Sequence, residues 1–473
     1  MRRSLGIDIA ITAENRACLT DEAGKVLAEG RFRLARPELE SLHRLASEGM
    51  GPEDELLVVM EPTSSSWIAP AAFFASQDAT VHVVPPEQSA DLRRYYAKHV
   101  KNDRLDAKLL ARLPLLHPDG LHRVNVPAGS GGVLKRLVGR RNRLIAEVAV
   151  HRQRIRSLLH FAMPGMNEVL GEELGKGAMA LLGRAGDPRV MLRLGKARLA
   201  ALFIKATRGA WREPKAEQVL AAARSAIELW DGLEGCDFAE IADDLAAEVR
   251  LIKALDAEVA EADARAAGLL KEIDPQGLYE SLPGFGERTA TTVAGRLGGV
   301  DRFRNTAAVR SFIGMIPGTD QSGETEGRPR LTKAGDRMLR TALYLAAEHA
   351  RRLDPQLARI YHRQIVDRGN HHIKAVCAVA TALATRLAAV LREGRPYLIC
   401  DVDGTPVDAQ AAKRIVMDRY TVPAEVRAAR RQPRVAQRMK KRPADGVRSK
   451  ARRPSPTADE APAKDVILIG ETA

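Results

Sequence analysis

Leu5-Gly6-Ile7-Asp8 near the start of the chain and Leu57-Val58-Val59-Met60-Glu61 further along decide how the first quarter of the protein folds. Each is an apolar run that closes on a carboxylate, as expected of a buried strand whose C-terminal end meets solvent. A third run lies at 80–84, so strands are expected at 4–10, 55–60 and 80–84. Amphipathic spacing predicts helices at 37–48, 67–77, 87–98 and 103–113, and the stretch before residue 34, including Lys25 to Leu34, supplies a hairpin.

Strand, hairpin, helix, strand, helix, strand, helix is the order of a ribonuclease H-like (RuvC-like) α/β domain. In that arrangement Asp8 ends a central strand and Glu61 ends its neighbour. Asp103 and Asp106, in Lys101-Asn102-Asp103-Arg104-Leu105-Asp106, share one helix face by their spacing of three. Carboxylates held that close repel one another unless a divalent cation lies between them. An all-oxygen donor set suits Mg²⁺ or Mn²⁺, and paired ions roughly 4 Å apart assist phosphodiester chemistry. Each acid alone has a plainer reading: a solvated residue at a strand end, or, for Asp103, a helix N-cap. The joint placement favours the site.

The charge balance points to a polyanionic partner. Lys and Arg number 74 against 60 Asp and Glu, giving +14 and a pI near 9.8. Part of the excess is local, since Arg427 to Arg453 is crowded with cations and almost free of large apolar residues. The segment 424–464 is therefore expected to be mostly disordered and to add salt-sensitive phosphate contacts. Cys18, Cys236, Cys377 and Cys400 show no metal-ligand spacing, no signal peptide is evident, and no apolar run reads as a membrane span. A cytoplasmic, nucleoid-associated protein is the expectation.

After a Pro/Gly-marked linker near 127–132, a helix over 133–160 interleaves leucines with Arg140, Arg141, Arg143 and Arg152. It reads either as a solvated bundle exterior or as a nucleic-acid-facing helix, and the arginine density tilts to the second. A second helix, 238–272, carries Leu245, Val249, Ile252, Leu255, Val259, Ala262 and Ala266 at coiled-coil spacing, within the chain or between subunits. Leu282-Pro283-Gly284-Phe285-Gly286 reads equally as an ordinary interhelical turn or as a helix-hairpin-helix turn, which would bring Gly284 and Gly286 to a phosphate. Gln321-Ser322-Gly323 sits in a Gly-rich loop followed by Arg328, Arg330 and Lys333, cations able to neutralise a phosphate beside the serine hydroxyl. Four regions result: 1–126 α/β, 127–275 helical with a coiled coil, 276–403 mainly helical, and 404–473 a basic tail.

Gly6-Ile7-Asp8, Glu61-Pro62-Thr63, Val83-Val84-Pro85, Lys101 to Ala107, the basic helix, the Pro-Gly-x-Gly turn, Gln321-Ser322-Gly323, Thr332-Lys333-x-Gly335, Leu339-Arg340 and Arg392 to Tyr397 occur in one order. In that order the chain resembles transposases of the IS110 family, which pair a RuvC-like DEDD domain with a C-terminal transposase domain. The resemblance implies that Asp8, Glu61, Asp103 and Asp106 bind metal and that Ser322 is the nucleophile that joins protein to DNA. It also implies donor and target DNA as substrates and an element-encoded guide RNA. The acids and the serine would then come from different subunits of a dimer or tetramer.

The sequence departs from the family pattern in three places: Ala10-Ile11-Thr12 where a Lys is common, Ser64 where a Gly is common, and Asp336 in place of Asn. Two other functions remain open: a RuvC-like endonuclease using water, for which Ser322 is dispensable, and a noncatalytic nucleic-acid-binding protein. His371-His372 reads as a surface or RNA-facing pair rather than a metal site, and Trp67 as a core anchor.

Overall fold

The computed structural model describes residues 1–96, 103–116, 121, 123, 124, 126, 129–315, 317, 318, 321, 322, 325, 326, 330, 331 and 335–430. Its N-terminal region contains β1 (Arg2–Asp8), β2 (Asn15–Thr20), β3 (Val26–Phe32), α1 (Arg36–Ser47), β4 (Glu55–Met60), α2 (Ile68–Ala75), β5 (Thr80–Val83), α3 (Pro86–Tyr96) and α4 (Asp103–Leu116). The strands form one mixed sheet in the order β3-β2-β1-β4-β5, with β1, β4 and β5 parallel and β2 and β3 added antiparallel. The period of two divides its side chains. Leu5, Ile7, Val58 and Met60 face α1 and α2, packing with Leu39, Ala46, Ala71 and Phe74, and Trp67 packs against the edge of this core. Val59 faces the other way and packs with Val84, Leu110 and Leu113.

α5 (Gly129–Ala162) begins inside the segment expected to be a linker, because Leu134, Leu137 and Val138 are buried in the C-terminal core and draw the helix back to Gly129. It runs antiparallel to α10 (Phe238–Ile273), as the pairs Ser130–Glu272, Arg140–Glu258 and His151–Glu248 show. Between them, α6 (Met166–Leu170), α7 (Lys176–Ala185), α8 (Pro188–Thr207) and α9 (Glu213–Leu229) make a helical lobe. Leu245, Val249 and Ile252 of α10 enter the core of this lobe, whereas Ala262, Ala266 and Leu270 enter the C-terminal core. The apolar seam of α10 is thus covered within one chain.

The C-terminal core gathers α11 (Leu278–Ser281), α12 (Glu287–Leu297), α13 (Thr306–Ile313), α14 (Arg337–Ala350), α15 (Pro355–His362) and α16 (His372–Glu393). Between α13 and α14 lie four two-residue strands, β6 (Pro317–Gly318), β7 (Gln321–Ser322), β8 (Thr325–Glu326) and β9 (Arg330–Leu331). α17 (Ala409–Tyr420) and α18 (Ala424–Ala429) follow. The expected boundary at 403 and the expected disorder from 424 are therefore corrected as far as residue 430. α17 packs on α15, with Ala412 and Val422 buried and Val426 against the main core, so these apolar anchors offset the cost of ordering. The rest of the basic tail lies outside the described residues. Among the described residues, α16 is the one helix long and apolar enough to cross a membrane. Its Ala375, Val376, Val379, Leu383 and Leu387 are fully buried in the C-terminal core.

Candidate active site

The strand register brings the first two acids together. Ile7 of β1 lies opposite Met60 of the parallel β4, so Asp8 and Glu61, each one residue further on, stand side by side at the strand ends. Neighbouring strands are ~4.8 Å apart. Gly6 and Val59 are likewise register partners, and alternation turns Asp8 to the face of Gly6 and Glu61 to the face of Val59, the same side of the sheet.

That side is covered by α4, and Gly6 is what allows it so close. A Cβ on Gly6 would lie 2.1 Å from the carbonyl oxygen of Ala107 and 2.3 Å from the amide nitrogen of Ala111. One strand step back, Thr20, the register partner of Ser4, places its Oγ1 3.4 Å from the Ala111 carbonyl. The helix therefore runs against the direction of β1. Two strand residues advance ~6.6 Å and one helical turn ~5.4 Å, so the turn before Ala107 carries Asp103 and Asp106 to the level of Asp8. Asp106 is 8% exposed. The helix includes Asp103, whose side chain, like Lys101 as a whole, lies outside the described residues. Among the described residues no three acidic, His or Cys side chains are placed to hold a metal ion.

Ser322 belongs to a different unit. The loop expected around it is a pair of short hairpins, with Pro317–Gly318 paired to Arg330–Leu331 and Ser322 opposite Thr325. Its base is clamped: the Asp336 amide donates to the Phe312 carbonyl at 3.1 Å and Arg340 Nη1 to the Ile313 carbonyl at 3.1 Å. A Cβ on Gly335 would come within 2.6 Å of the Gly314 nitrogen and the Phe312 oxygen. Asp336, the departure from Asn, caps α14 through the Met338 and Leu339 amides and accepts from Arg296 Nε at 2.7 Å. The side chains of Ser322 and Arg330, and all of Arg328 and Lys333, lie outside the described residues. The acids stand beside the core of the α/β region, whereas α13 and α14, which flank the hairpin, pack in the C-terminal core.

Several residues expected at nucleic acid are engaged elsewhere. Arg140 pairs with Glu258, Arg141 with Asp263, and Arg152 reaches Glu173 at 4.0 Å, so the cationic face of α5 is partly spent on holding α10 and the lobe. Arg143 is exposed and makes no ion pair among the described residues. Gly284 has φ +80°, and a Cβ there would lie 2.3 Å from the Ala346 carbonyl, so this glycine seats the turn against α14. Gly286 has open space beside it and precedes α12 without a side-chain cap. His371 caps α16, while His372 meets the Tyr361 hydroxyl at 2.8 Å and Glu348 at 2.5 Å, so the two rings serve different partners.

Two residues at the acids, Ser89 and Asn15, were not singled out in the sequence, and a third, Ser64, was noted only as a departure from the family pattern. Ser89 Oγ of α3 lies 2.6 Å from Glu61 Oε2. Asn15, 3% exposed, accepts from the Ala10 amide at 3.1 Å and donates to the Phe32 carbonyl at 3.0 Å, which ties down the chain just after Asp8. Ser64 has φ +51°, a left-handed conformation just past Glu61. Only Ser64 left a signal in the sequence, as a serine where Gly is common; the partners of Asn15 and Ser89 are set by the fold.

Carboxylates at the C-terminal ends of parallel strands, joined to a helical C-terminal domain with a clamped hairpin, mark a DNA-acting enzyme of the transposase class. Residues 5–164 match the family model for DEDD transposases of IS110, and residues 277–363 that of the transposase IS116/IS110/IS902 family, in that order. The chain belongs to the IS110 family of transposases. It is 27% identical over 406 residues to an insertion element IS110 protein of Streptomyces coelicolor, covering 83% of this chain and 95% of that one. An IS116 protein of Streptomyces clavuligerus is 24% identical over 327 residues, 69% of this chain and 80% of its own. The IS1111A transposase of Coxiella burnetii is 36% identical over 64 residues, 14% of this chain and 18% of its own.

Proposed function

We propose that this transposase cuts and rejoins DNA through a covalent serine–DNA link. Ser322 is the nucleophile, and Asp8, Glu61, Asp103 and Asp106 hold divalent cations, Mg²⁺ or Mn²⁺. The observation that carries this reading is the convergence of β1, β4 and the first turn of α4 on one side of the sheet. The donor set fits the ion: every candidate ligand is a carboxylate oxygen, and hard oxygen donors suit these cations. Such cations, when bound, stabilise negative charge on the attacking and leaving oxygens. The chain's own acids position them, and their mutual repulsion raises the cost of leaving the site empty.

In the reaction the bond from Ser322 Oγ to phosphorus forms while a phosphorus–oxygen bond of the strand breaks. The departing DNA hydroxyl gains a proton and the serine gives one up. The phosphodiester is conserved as a serine phosphodiester, so attack by a free DNA hydroxyl restores the strand and the serine without ATP. A site completed by a second copy, in a dimer or tetramer, is part of this reading; its support is that the α/β strands and the helices flanking the hairpin pack in different cores. Arg143, Lys101, Gly286, Arg328, Arg330 and Lys333 remain candidate contacts to donor DNA, target DNA and a guide RNA transcribed from the element. Arg140, Arg141 and Arg152 stay candidate contacts as well, although their ion pairs to Glu258, Asp263 and Glu173 also brace α5.

The test is a covalent-adduct assay in lysate containing Mg²⁺, the DNA flanking the gene, and donor and target DNA. Wild type, Ser322→Ala and Asp8→Asn are compared after denaturation. A denaturation-resistant DNA adduct in wild type alone is expected. Cleavage that survives Ser322→Ala without an adduct identifies a water-using nuclease instead, and nucleic-acid binding without cleavage in every variant identifies a noncatalytic binding protein.

A further inference from the structure

The cleft between the end of α5 and α6 is not used by the site described above. It has a volume of about 530 Å³ and is lined by Gln153, Arg156, Ser157, His160, Phe161 and Asn167. That size falls in the ~300–1,000 Å³ range of sites for small organic groups. The cleft straddles the end of the first family match at residue 164 and a lobe that neither match covers.

Its walls combine three chemistries. Phe161 is 47% exposed, yet it is braced edge-on by Trp230 at 5.5 Å, and Trp230 Nε1 donates to the Ala162 carbonyl at 3.1 Å. A large aromatic side chain is thus braced by a neighbour and still about half exposed at the cleft. Arg156 makes no ion pair among the described residues, and its Nε is buried without a hydrogen-bond partner. Asn167 donates through Nδ2 to the Arg156 carbonyl at 3.0 Å, which fixes the amide, while its Oδ1 is likewise buried and unpartnered. A bound group that draws these two side chains toward the cleft would satisfy atoms whose burial without partners is otherwise costly.

An aromatic face, a guanidinium and a fixed amide oxygen match the parts of one nucleotide: base plane, phosphate and base edge. We infer that this cleft binds an unpaired nucleotide of a single-stranded nucleic acid, with its base stacked on Phe161, its phosphate at Arg156 and its base edge read by Asn167 and Gln153. A base inside a duplex is already stacked and paired and cannot lie on Phe161, so the site selects single strands. Only the class of ligand rests on the transposase reading.

The test uses the full-length protein without divalent cations, so that cleavage plays no part, and measures binding of short fluorescent single-stranded RNA, single-stranded DNA and duplex DNA. Phe161→Ala and Arg156→Gln are each expected to weaken single-strand binding about tenfold, the scale of one lost base stack, and to leave duplex binding unchanged. Phe161→Trp is expected to restore it. The strand type that loses affinity identifies the source as RNA or DNA. Should Phe161→Ala unfold, Arg156→Gln and photo-crosslinking of a halogenated pyrimidine strand to residues 153–167 of wild type carry the test. Unchanged single-strand binding in Arg156→Gln, an equal loss for duplex, or a crosslink elsewhere overturns the inference. Loss of the serine adduct in the earlier assay would leave it standing.

Discussion

Ser89 Oγ donates a 2.6 Å hydrogen bond to Glu61 Oε2 and sits 3.0 Å from the Pro86 carbonyl, so the first turn of α3 aims the carboxylate that ends β4. Partners of this kind orient metal-binding groups, and their loss typically costs ~10–100-fold in metal affinity or activity. Ser89→Ala is expected to lower strand cleavage by about tenfold at limiting Mg²⁺, with partial recovery at high Mg²⁺. A Mg²⁺ titration of cleavage checks this, and an unchanged curve refutes the positioning role.

Gly6→Ala pushes α4 away from the sheet. The added Cβ meets backbone atoms at 2.1 and 2.3 Å, which cannot rotate aside. Overpacking typically costs ~1–3 kcal/mol and more where backbone must move, so a loss of about 3 kcal/mol is expected by urea denaturation. Any protein that remains folded should cleave poorly, because the turn bearing Asp103 and Asp106 moves with the helix.

Ser64 pays a left-handed strain that glycine avoids. That conformation costs an ordinary residue ~1–2 kcal/mol, partly offset by the greater freedom of glycine in the unfolded chain. Ser64→Gly is expected to stabilise the protein by about 0.5–1 kcal/mol, read as a higher urea midpoint at constant slope. A lower midpoint would mean that the serine side chain has a role here.

Asp354 is fully buried and holds three elements. It caps α15 through the Leu357 amide at 2.8 Å, accepts from the Tyr397 hydroxyl at 2.7 Å, and faces Arg386 Nη1 at 3.2 Å. Burial, reinforced by the charge of Asp354, pushes the Tyr397 phenol far above its usual range, so it stays a donor. Asp354→Asn leaves the guanidinium without its buried counter-charge and is expected to cost about 3 kcal/mol in chemical denaturation. Tyr397→Phe should cost less, about 1–2 kcal/mol, since it removes the donation to Asp354 and the acceptance from Arg386 Nη1 but leaves the buried ion pair in place.

Much of the α/β region was legible because its signals are local. The continuous apolar run along 55–60 and amphipathic spacing along 37–48 depend only on neighbours in the chain, and the observed β4 and α1 lie within a residue of those bounds. The apolar seam of α10 was legible too, but not its destination. The tail was misread between 404 and 430 because its many charges masked three sparse anchors, Ala412, Val422 and Val426. The acidic partners of the α5 arginines were not legible because they lie far off in sequence: Asp263 is 122 positions from Arg141.

Residue identity and local periodicity by themselves determined most elements of the α/β region, the carboxylates at its strand ends and the spacing of Asp103 and Asp106, while the family came from the resemblance of the ordered motifs. The first three come from short-range sterics and the separation of polar from apolar faces. Only the tertiary structure decided that Gly6 admits α4, that Ser89 aims Glu61, that Gly284 seats a turn against α14, and that Arg140 and Arg141 hold a helix pair. Each of these is a contact between segments distant in the chain, and its energy exists only once packing has brought the two surfaces together.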